Sequence, residues 1–276
     1  MVAHAFVKMQ GLGNDFVIID ARKSAFVPTN AQVARLADRR LGVGCDQLIV
    51  LLPAPQKDAN AFMRIFNADG SEVEACGNAT RCVGAYLARS GDAAQNLRTK
   101  VAFLKTHTKG EETFVDMGAP CQTAQGLGLT QDVDPLYLPV EVAGMDAPAA
   151  VGIGNPHMIF FAEGVEALDV DRLGRELAHH ILYPAGTNVE FVEVKSRTHV
   201  RMRVWERGTG VTPACATGAC ATVVAGVSRG LLDQGAPIQV DMDGGVLTVT
   251  YDGARVTMSG VTRLVYEGTF GEALFD

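Results

Sequence analysis

Two cysteines of the 276-residue chain, Cys76 and Cys215, stand at corresponding places in two similar stretches. MRIFNADGSEVEACGNATRC (63–82) and MRVWERGTGVTPACATGAC (202–220) share Met63/Met202, Arg64/Arg203, Ala75/Ala214 and Cys76/Cys215, each pair 139 residues apart. Ile65/Val204 and Phe66/Trp205 keep apolar character at the same spacing. Each stretch reads as a short β-rich run (62–66 and 201–205), a polar glycine-containing loop ending at the cysteine, and a helix. The helices, 77–90 and 216–229, run to Gly91 and Gly230, residues suited to the position just past a helix end. A thiol at a helix start faces unpaired backbone N–H groups and the positive end of the dipole, which favours the thiolate. Two such thiols form a matched acid–base pair. Inverting a carbon needs a base on one face and an acid on the other, and thiols exchange those roles when the reaction reverses. If they face each other across a cleft between two domains, a carboxylate held there accepts N–H bonds from both helix ends. Gly77, Asn78, Ala216 and Thr217 carry the nearest donors.

The competing reading of any single cysteine is an inert core thiol, and it is the reading adopted for Cys45, Cys82, Cys121 and Cys220. For Cys76 and Cys215 it leaves unexplained why both copies place a thiol at the same helix start. No Cys-x-x-Cys pair occurs, so neither a zinc knuckle nor a thioredoxin-type motif is supported. A non-enzymatic alternative is a ligand-binding protein or a redox sensor in which two close thiols oxidise to a disulfide. The absence of Gly-x-Gly-x-x-Gly and of Gly-x-x-x-x-Gly-Lys-Ser/Thr argues against nucleotide-binding folds.

The elements that must position these thiols also repeat. GLGN at 11–14 is echoed by GIGN at 152–155, and more weakly Gly44-Cys45-Asp46 by Gly186-Thr187-Asn188. A period near half the chain length means duplication of a whole domain. The helices after the cysteines are apolar on most faces and are expected to be central. Outer helices are expected over 30–40 and 169–180. Strands are expected over 16–20, 47–52, 113–117, 157–161, 188–194 and 246–251. The Gly-, Gln- and Thr-rich stretch 120–134 reads as a linker between domains 1–119 and 120–262, with 263–276 returning to complete the first. The net charge of −7 argues against a nucleic-acid or anionic-membrane partner, and 47% hydrophobic residues is globular composition. No apolar run reaches signal-peptide or membrane-span length, which predicts a cytoplasmic protein.

GLGNDFVIID, GVGCDQ, NADGSEVEACGNATRC, GNPH, GTNVEFV and ERGTG…ACATGAC occur here in the order seen in diaminopimelate epimerases, and the chain resembles that family from Asn14 to about Cys220. The resemblance implies an α/β (α+β) fold of two pseudo-symmetric domains, each a mostly antiparallel or mixed sheet wrapped around a central helix. It implies interconversion of LL- and meso-diaminopimelate without pyridoxal phosphate, metal or other cofactor, for lysine and peptidoglycan precursor synthesis, by a cytoplasmic enzyme, often a homodimer. Cys76 and Cys215 match the family's acid/base pair. Asn14, Gln47, Asn67, Asn155, Asn188 and Arg207 match its substrate-binding positions. Glu206, which also touches substrate in this reading, and His157 match polar residues flanking the thiols. Gly77-Asn78 and Ala216-Thr217 match its backbone donors. An Arg fork suits the carboxylate at the non-reacting end of diaminopimelate, and asparagines suit both ammonium and carboxylate. Without the resemblance, the asparagines read as turn or cap residues, Gln47 as strand-edge polarity, Arg207 as a surface ion-pair partner and His157 as a satisfied core histidine. Ala79, Ala216 and Val211 depart from the family's usual Gly, Gly and acidic residue. The nearest rival is a proline or hydroxyproline racemase-like enzyme, for whose one-carboxylate ring substrate Arg207 and the asparagines are surplus. A phenazine-type isomerase, a relative with carboxylate chemistry, is disfavoured by the presence of both thiols.

Overall fold

A computed structural model describes residues 3–24, 26–74 and 76–275; the repeated Ala75 lies outside them. The chain folds as two compact units, Met1–Val115 with Gly260–Asp276, and Asp116–Ser259.

In the first unit β1 (Ala3–Gly11) and β2 (Asn14–Asp20) form a hairpin, followed by α1 (Asn30–Ala37), β3 (Gln47–Leu52), β4 (Ala61–Asn67), β5 (Glu72–Val73), α2 (Gly77–Ala88), β6 (Ala94–Arg98), β7 (Phe103–Lys109) and β8 (Glu112–Gly118). β2 and β3 are parallel, as are β4 and β6, while β1–β2, β3–β4, β4–β5 and β6–β7 are antiparallel. The second unit opens with a small ribbon, β9 (Glu141–Val142) and β10 (Met145–Asp146), and then repeats the order. It runs β11 (Ala149–Gly152), β12 (Pro156–Phe161), α3 (Val170–Leu177), β13 (Asn188–Ser196), β14 (His199–Glu206), β15 (Gly210–Thr212), α4 (Ala216–Ser228), β16 (Ile238–Met242), β17 (Gly245–Tyr251) and β18 (Val256–Val261). Its pairings repeat those of the first unit: β12 with β13 and β14 with β16 are parallel, and β11–β12, β13–β14, β14–β15 and β16–β17 are antiparallel. β19 (Arg263–Gly271) returns to the first unit as an antiparallel partner of β1.

The sheets are buried on both faces, which is why their inner strands read as continuous apolar runs such as QLIVLL. Side chains alternate between two layers. From β3, Leu48 and Val50 pack with Val33 and Leu36 of α1, whereas Ile49 and Leu51 pack with Ala79 and Val83 of α2. In the second unit Val189 and Phe191 pack with Leu173 and Leu177 of α3, leaving Glu190 and Val192 on the α4 side. α4 is buried almost all round, from Ala216 to Gly226, which fits its nearly unbroken apolar sequence. This is the expected architecture: two similar halves, each a mixed sheet around a central helix. Thr29 and Gln32 close a capping box at the start of α1, and Asp169 caps the start of α3; the two helices stop at Ala37 and Leu177, short of their expected ends.

The stretch 120–134 is not a linker. Cys121 bridges Gly152, and Leu127 joins the core around Leu173 and Phe160. Its polar composition conceals apolar residues, Leu127, Leu129 and Val133 among them, that tie it to the core. The chain passes between units inside β8 and again inside β18.

Candidate functional site

Cys76 and Cys215 are the N-cap residues of α2 and α4, each in extended backbone conformation. Each Sγ accepts the amide N–H of the third residue on, Ala79 or Gly218, at 3.4 Å. Sulfur thus occupies the place that a serine or aspartate oxygen takes in an ordinary N-cap. Gly77, Ala216, Ala79 and Asn78 are buried beside the thiols, while Thr217 is half-buried with its Oγ1 3.5 Å from Cys215 Sγ.

In the first unit Gln47 Nε2 donates to Asn67 Oδ1 at 3.1 Å, and Asn67 donates on to Ser71 Oγ. Asn14 ends the β1–β2 hairpin, whose turn residues Leu12 and Gly13 both have positive φ, and its amide donates to Asp46 Oδ2 at 2.9 Å. Asn78 Oδ1 accepts from the fully buried Arg81 at 2.6 Å, a partner not singled out from sequence. Cys76 itself packs against the apolar cluster that holds Phe16, Ile49, Ala79 and Cys82.

The second unit surrounds its thiol differently. His157 and Glu190 are both fully buried, with Nδ1 and Oε1 2.6 Å apart. His157 Nε2 lies 3.1 Å from Asn155 Oδ1. Thr212 Oγ1 donates to Glu206. Asn188 Oδ1 accepts the backbone N–H of Arg207 at 2.9 Å, and the exposed Arg207 guanidinium donates to the carbonyls of Ala185 and Gly186. Val211 is exposed on β15. A ring nitrogen of His157, a carboxylate oxygen of Glu190 and Cys215 Sγ lie within 4.8 Å of one another. Nδ1 and Oε1 are bonded to each other, with the Cys215 sulfur beside them.

The expectation that a helix start lowers the thiol pKa fails for Cys215. Burial pushes it well above the usual thiol value, and the carboxylates of Glu206 and Glu190 push it further; the bonds from Thr217 and Gly218 oppose this and do not overcome it. Burial likewise pushes the core thiols Cys45 and Cys82 up to about 12. Glu190 was not among the candidate residues, although a lone glutamate inside the apolar run of β13 is a signal of it. The open depressions lined by Arg22, Tyr86 and Glu267 and by Arg22, Lys23 and Pro55 contain neither thiol.

These features define a class: a duplicated α/β protein with one helix-capping thiol in each half. Solved structures share the fold over nearly all of the chain. A phenazine biosynthesis protein of the PhzF family from Bacillus anthracis matches with a TM-score of 0.69 at 18% identity, covering 98% of this chain and 99% of that one. A hydroxyproline epimerase from Agrobacterium vitis matches with a TM-score of 0.69 at 17% identity, covering 97% and 92%. The family model for diaminopimelate epimerase matches residues 6–122 and 149–265, one stretch in each half. A diaminopimelate epimerase from Rhizorhabdus wittichii is 45% identical over 263 residues, covering 95% of this chain and 93% of the relative. The chain belongs to the diaminopimelate epimerase family.

Proposed function

We propose that the protein is an isomerase interconverting LL- and meso-diaminopimelate, with Cys76 and Cys215 as its acid/base pair. The observation that carries this reading is the capping thiol at the same place in each half of a chain of this family. Two-base epimerisation needs one acid/base group on each face of Cα, and the duplication supplies two. In one direction of the reaction Cys76 acts as the base, as thiolate, and Cys215 as the acid. Cys76 takes the Cα proton, the electron pair of the broken C–H bond delocalises toward the carboxylate, and Cys215 delivers its proton to the opposite face of Cα. The enzyme is left with Cys76 as thiol and Cys215 as thiolate, the state required for the reverse reaction. The N–H groups at Gly77, Asn78, Ala216 and Thr217 stabilise the carboxylate as it gains charge. Asn14, Gln47, Asn67, Asn155, Asn188, Glu206 and Arg207 bind the substrate and read its non-reacting end, and His157 flanks the Cys215 thiol. The reading assigns no step to pyridoxal phosphate or to a metal. It places the protein in the cytoplasm, as a homodimer, supplying meso-diaminopimelate to lysine and peptidoglycan precursor synthesis; among the described residues no helix is long and apolar enough to cross a membrane.

The test is incubation of purified, reduced protein with LL-diaminopimelate in deuterated water, with hydroxyproline as the comparison substrate. The expected result is meso product carrying deuterium at the inverted carbon and no exchange into hydroxyproline. Absence of exchange into diaminopimelate would overturn the reading.

A further inference from the structure

Arg81 of α2 is fully buried, although the fold does not require a cation where it stands. The sheet registers allow the halves to be compared position by position: Phe16 opposite Gln47 and His157 opposite Asn188 put Ile49 level with Glu190. Along the central helices, Arg81 and Cys220 each stand five residues past the N-cap cysteine. Cys220 is fully buried in α4, so a small side chain fills this place in a helix of this kind. Burying a guanidinium there is costly unless its donors are used.

They are used beside the candidate site. Arg81 Nη2 donates to Asn78 Oδ1 at 2.6 Å, and Nη1 donates to the Val261 carbonyl at 3.4 Å. A Cβ on Gly11 would lie 3.4 Å from Nη2, so the guanidinium also lies against the last residue of β1, which pairs with Asn14. Asn78 is the second residue of α2, and the N–H groups at a helix start have no partner within the helix. The Ala79 N–H is taken by Cys76 Sγ, and those of Gly77 and Asn78 precede it. An asparagine in the first turn competes for such donors, because its Oδ1 can bond nearby backbone N–H groups. Here a charge-assisted bond from Arg81 engages that oxygen. The second half meets the same need without a cation: the residue two past its N-cap is Thr217, whose Oγ1 lies 3.5 Å from Cys215 Sγ.

We propose that Arg81 is a positioning residue of the reaction: by holding Asn78 Oδ1 it keeps the Gly77 and Asn78 N–H groups available to the substrate carboxylate. It touches no reacting atom itself. The proposal rests on the reading above in which the start of α2 receives that carboxylate.

The experiment compares the wild type with Arg81→Met and with the double variant Arg81→Met/Asn78→Ala. The first releases Asn78 Oδ1; the second also removes that oxygen and keeps the backbone donors. NMR of substrate-free, reduced protein reads the temperature coefficients of the Gly77 and Asn78 amide protons, and steady-state kinetics reads kcat/KM for diaminopimelate. In the wild type both amides are expected to show the steep coefficients of N–H groups not bonded within the protein. In Arg81→Met at least one becomes shallow, and kcat/KM falls roughly tenfold, the size of one hydrogen bond to a charged group. In the double variant the coefficients are expected to steepen again and kcat/KM to rise about threefold or more above that of Arg81→Met. A loss through packing alone would deepen, not reverse, when a second buried side chain is cut back. No recovery in the double variant overturns the proposal. If Arg81→Met does not fold, the wild type decides: shallow coefficients at Gly77 and Asn78 overturn the proposal, and steep ones support it. The NMR uses no substrate. A chain inert toward diaminopimelate whose Gly77 and Asn78 amides still respond to Arg81→Met sinks the epimerase reading and leaves the hold of Arg81 on the helix start standing. An active wild type whose amides do not respond sinks the proposal alone.

Discussion

Gly218 and Glu190 share one space: a Cβ on Gly218 would lie 2.6 Å from Glu190 Oε1 and 3.3 Å from Cys215 Sγ. In the other half Ala79 carries its methyl without conflict because Ile49 stands where the carboxyl does. Gly218→Ala gains up to about 1 kcal/mol of helix propensity but forces Glu190 off His157. The expected net effect is destabilisation of roughly 1–3 kcal/mol in chemical denaturation, with lower kcat. Ala79→Gly should cost about 1 kcal/mol from propensity and leave the pH profile of Cys215 alone. A Gly218→Ala protein as stable and as active as wild type would show that Glu190 has room the geometry denies it.

Cys76→Ala and Cys215→Ala should each lower epimerisation by about 10²–10⁴-fold, the range for loss of a general acid or base, with substrate binding largely kept. Cys121→Ser, a half-buried thiol of the second unit outside both helix starts, should leave the rate unchanged. Calorimetric binding beside product assays separates the two effects. Full turnover by either of the first two variants is incompatible with two-base chemistry.

What could be read from the chain before its structure follows from which forces act locally. The thiols, the helices they cap and the strands β3, β4, β12 and β14 were legible because hydrophobic periodicity and glycine placement are local signals, and because every signal occurred twice. The short strands β5, β9, β10 and β15 were not, since two or three residues carry no period. The stretch 120–134 misled because a few apolar residues anchor a polar segment. The weakest echo was displaced by one position: Gly44 and Gly186 both take positive φ, but register aligns Gln47, not Asp46, with Asn188. Glu190 escaped because a residue's burial depends on its neighbours across the sheet. The raised pKa of Cys215 escaped for the same reason: a helix start is visible in sequence, and two carboxylates brought in from β13 and β14 are not.

In the proposed reading, Arg207 recognises the substrate's distal carboxylate. Its guanidinium donates to the carbonyls of Ala185 at 2.7 Å and Gly186 at 3.2 Å, which aims the remaining N–H groups. Gly186 has φ +77, and a Cβ there would lie 2.9 Å from Arg207 Cδ. Arg207→Lys removes the fork and keeps the charge, and Gly186→Ala displaces the fork and keeps its chemistry. Both should raise KM for diaminopimelate by roughly tenfold, with kcat changed less than about threefold. Steady-state kinetics on both epimers checks this; a loss confined to kcat would move Arg207 out of substrate recognition.

Asp15 makes acid sensitivity measurable at the edge of the candidate site. Burial raises its carboxyl pKa, but bonds from Arg39, Lys8 and the Asp46 amide outweigh burial and hold it well below the usual carboxylate range. Lys8 Nζ lies 2.6 Å from Oδ2, and Arg39 grips both oxygens. Asp46 is held by the same Arg39 and in turn accepts from Asn14, so the network positions a proposed substrate ligand. A carboxyl whose folded pKa is depressed contributes stability that is fully present above its unfolded value, about 4, and is lost as pH falls through the lower folded value. Asp15→Asn should therefore cost roughly 2 kcal/mol at pH 7, less than a fully buried pair because the group is partly solvated. The gap between wild type and variant should narrow as pH drops from about 4 toward 2. Urea midpoints of both proteins at pH 7 and pH 3 measure it. A gap of equal size at the two pH values would mean that Asp15 acts through shape and not through charge.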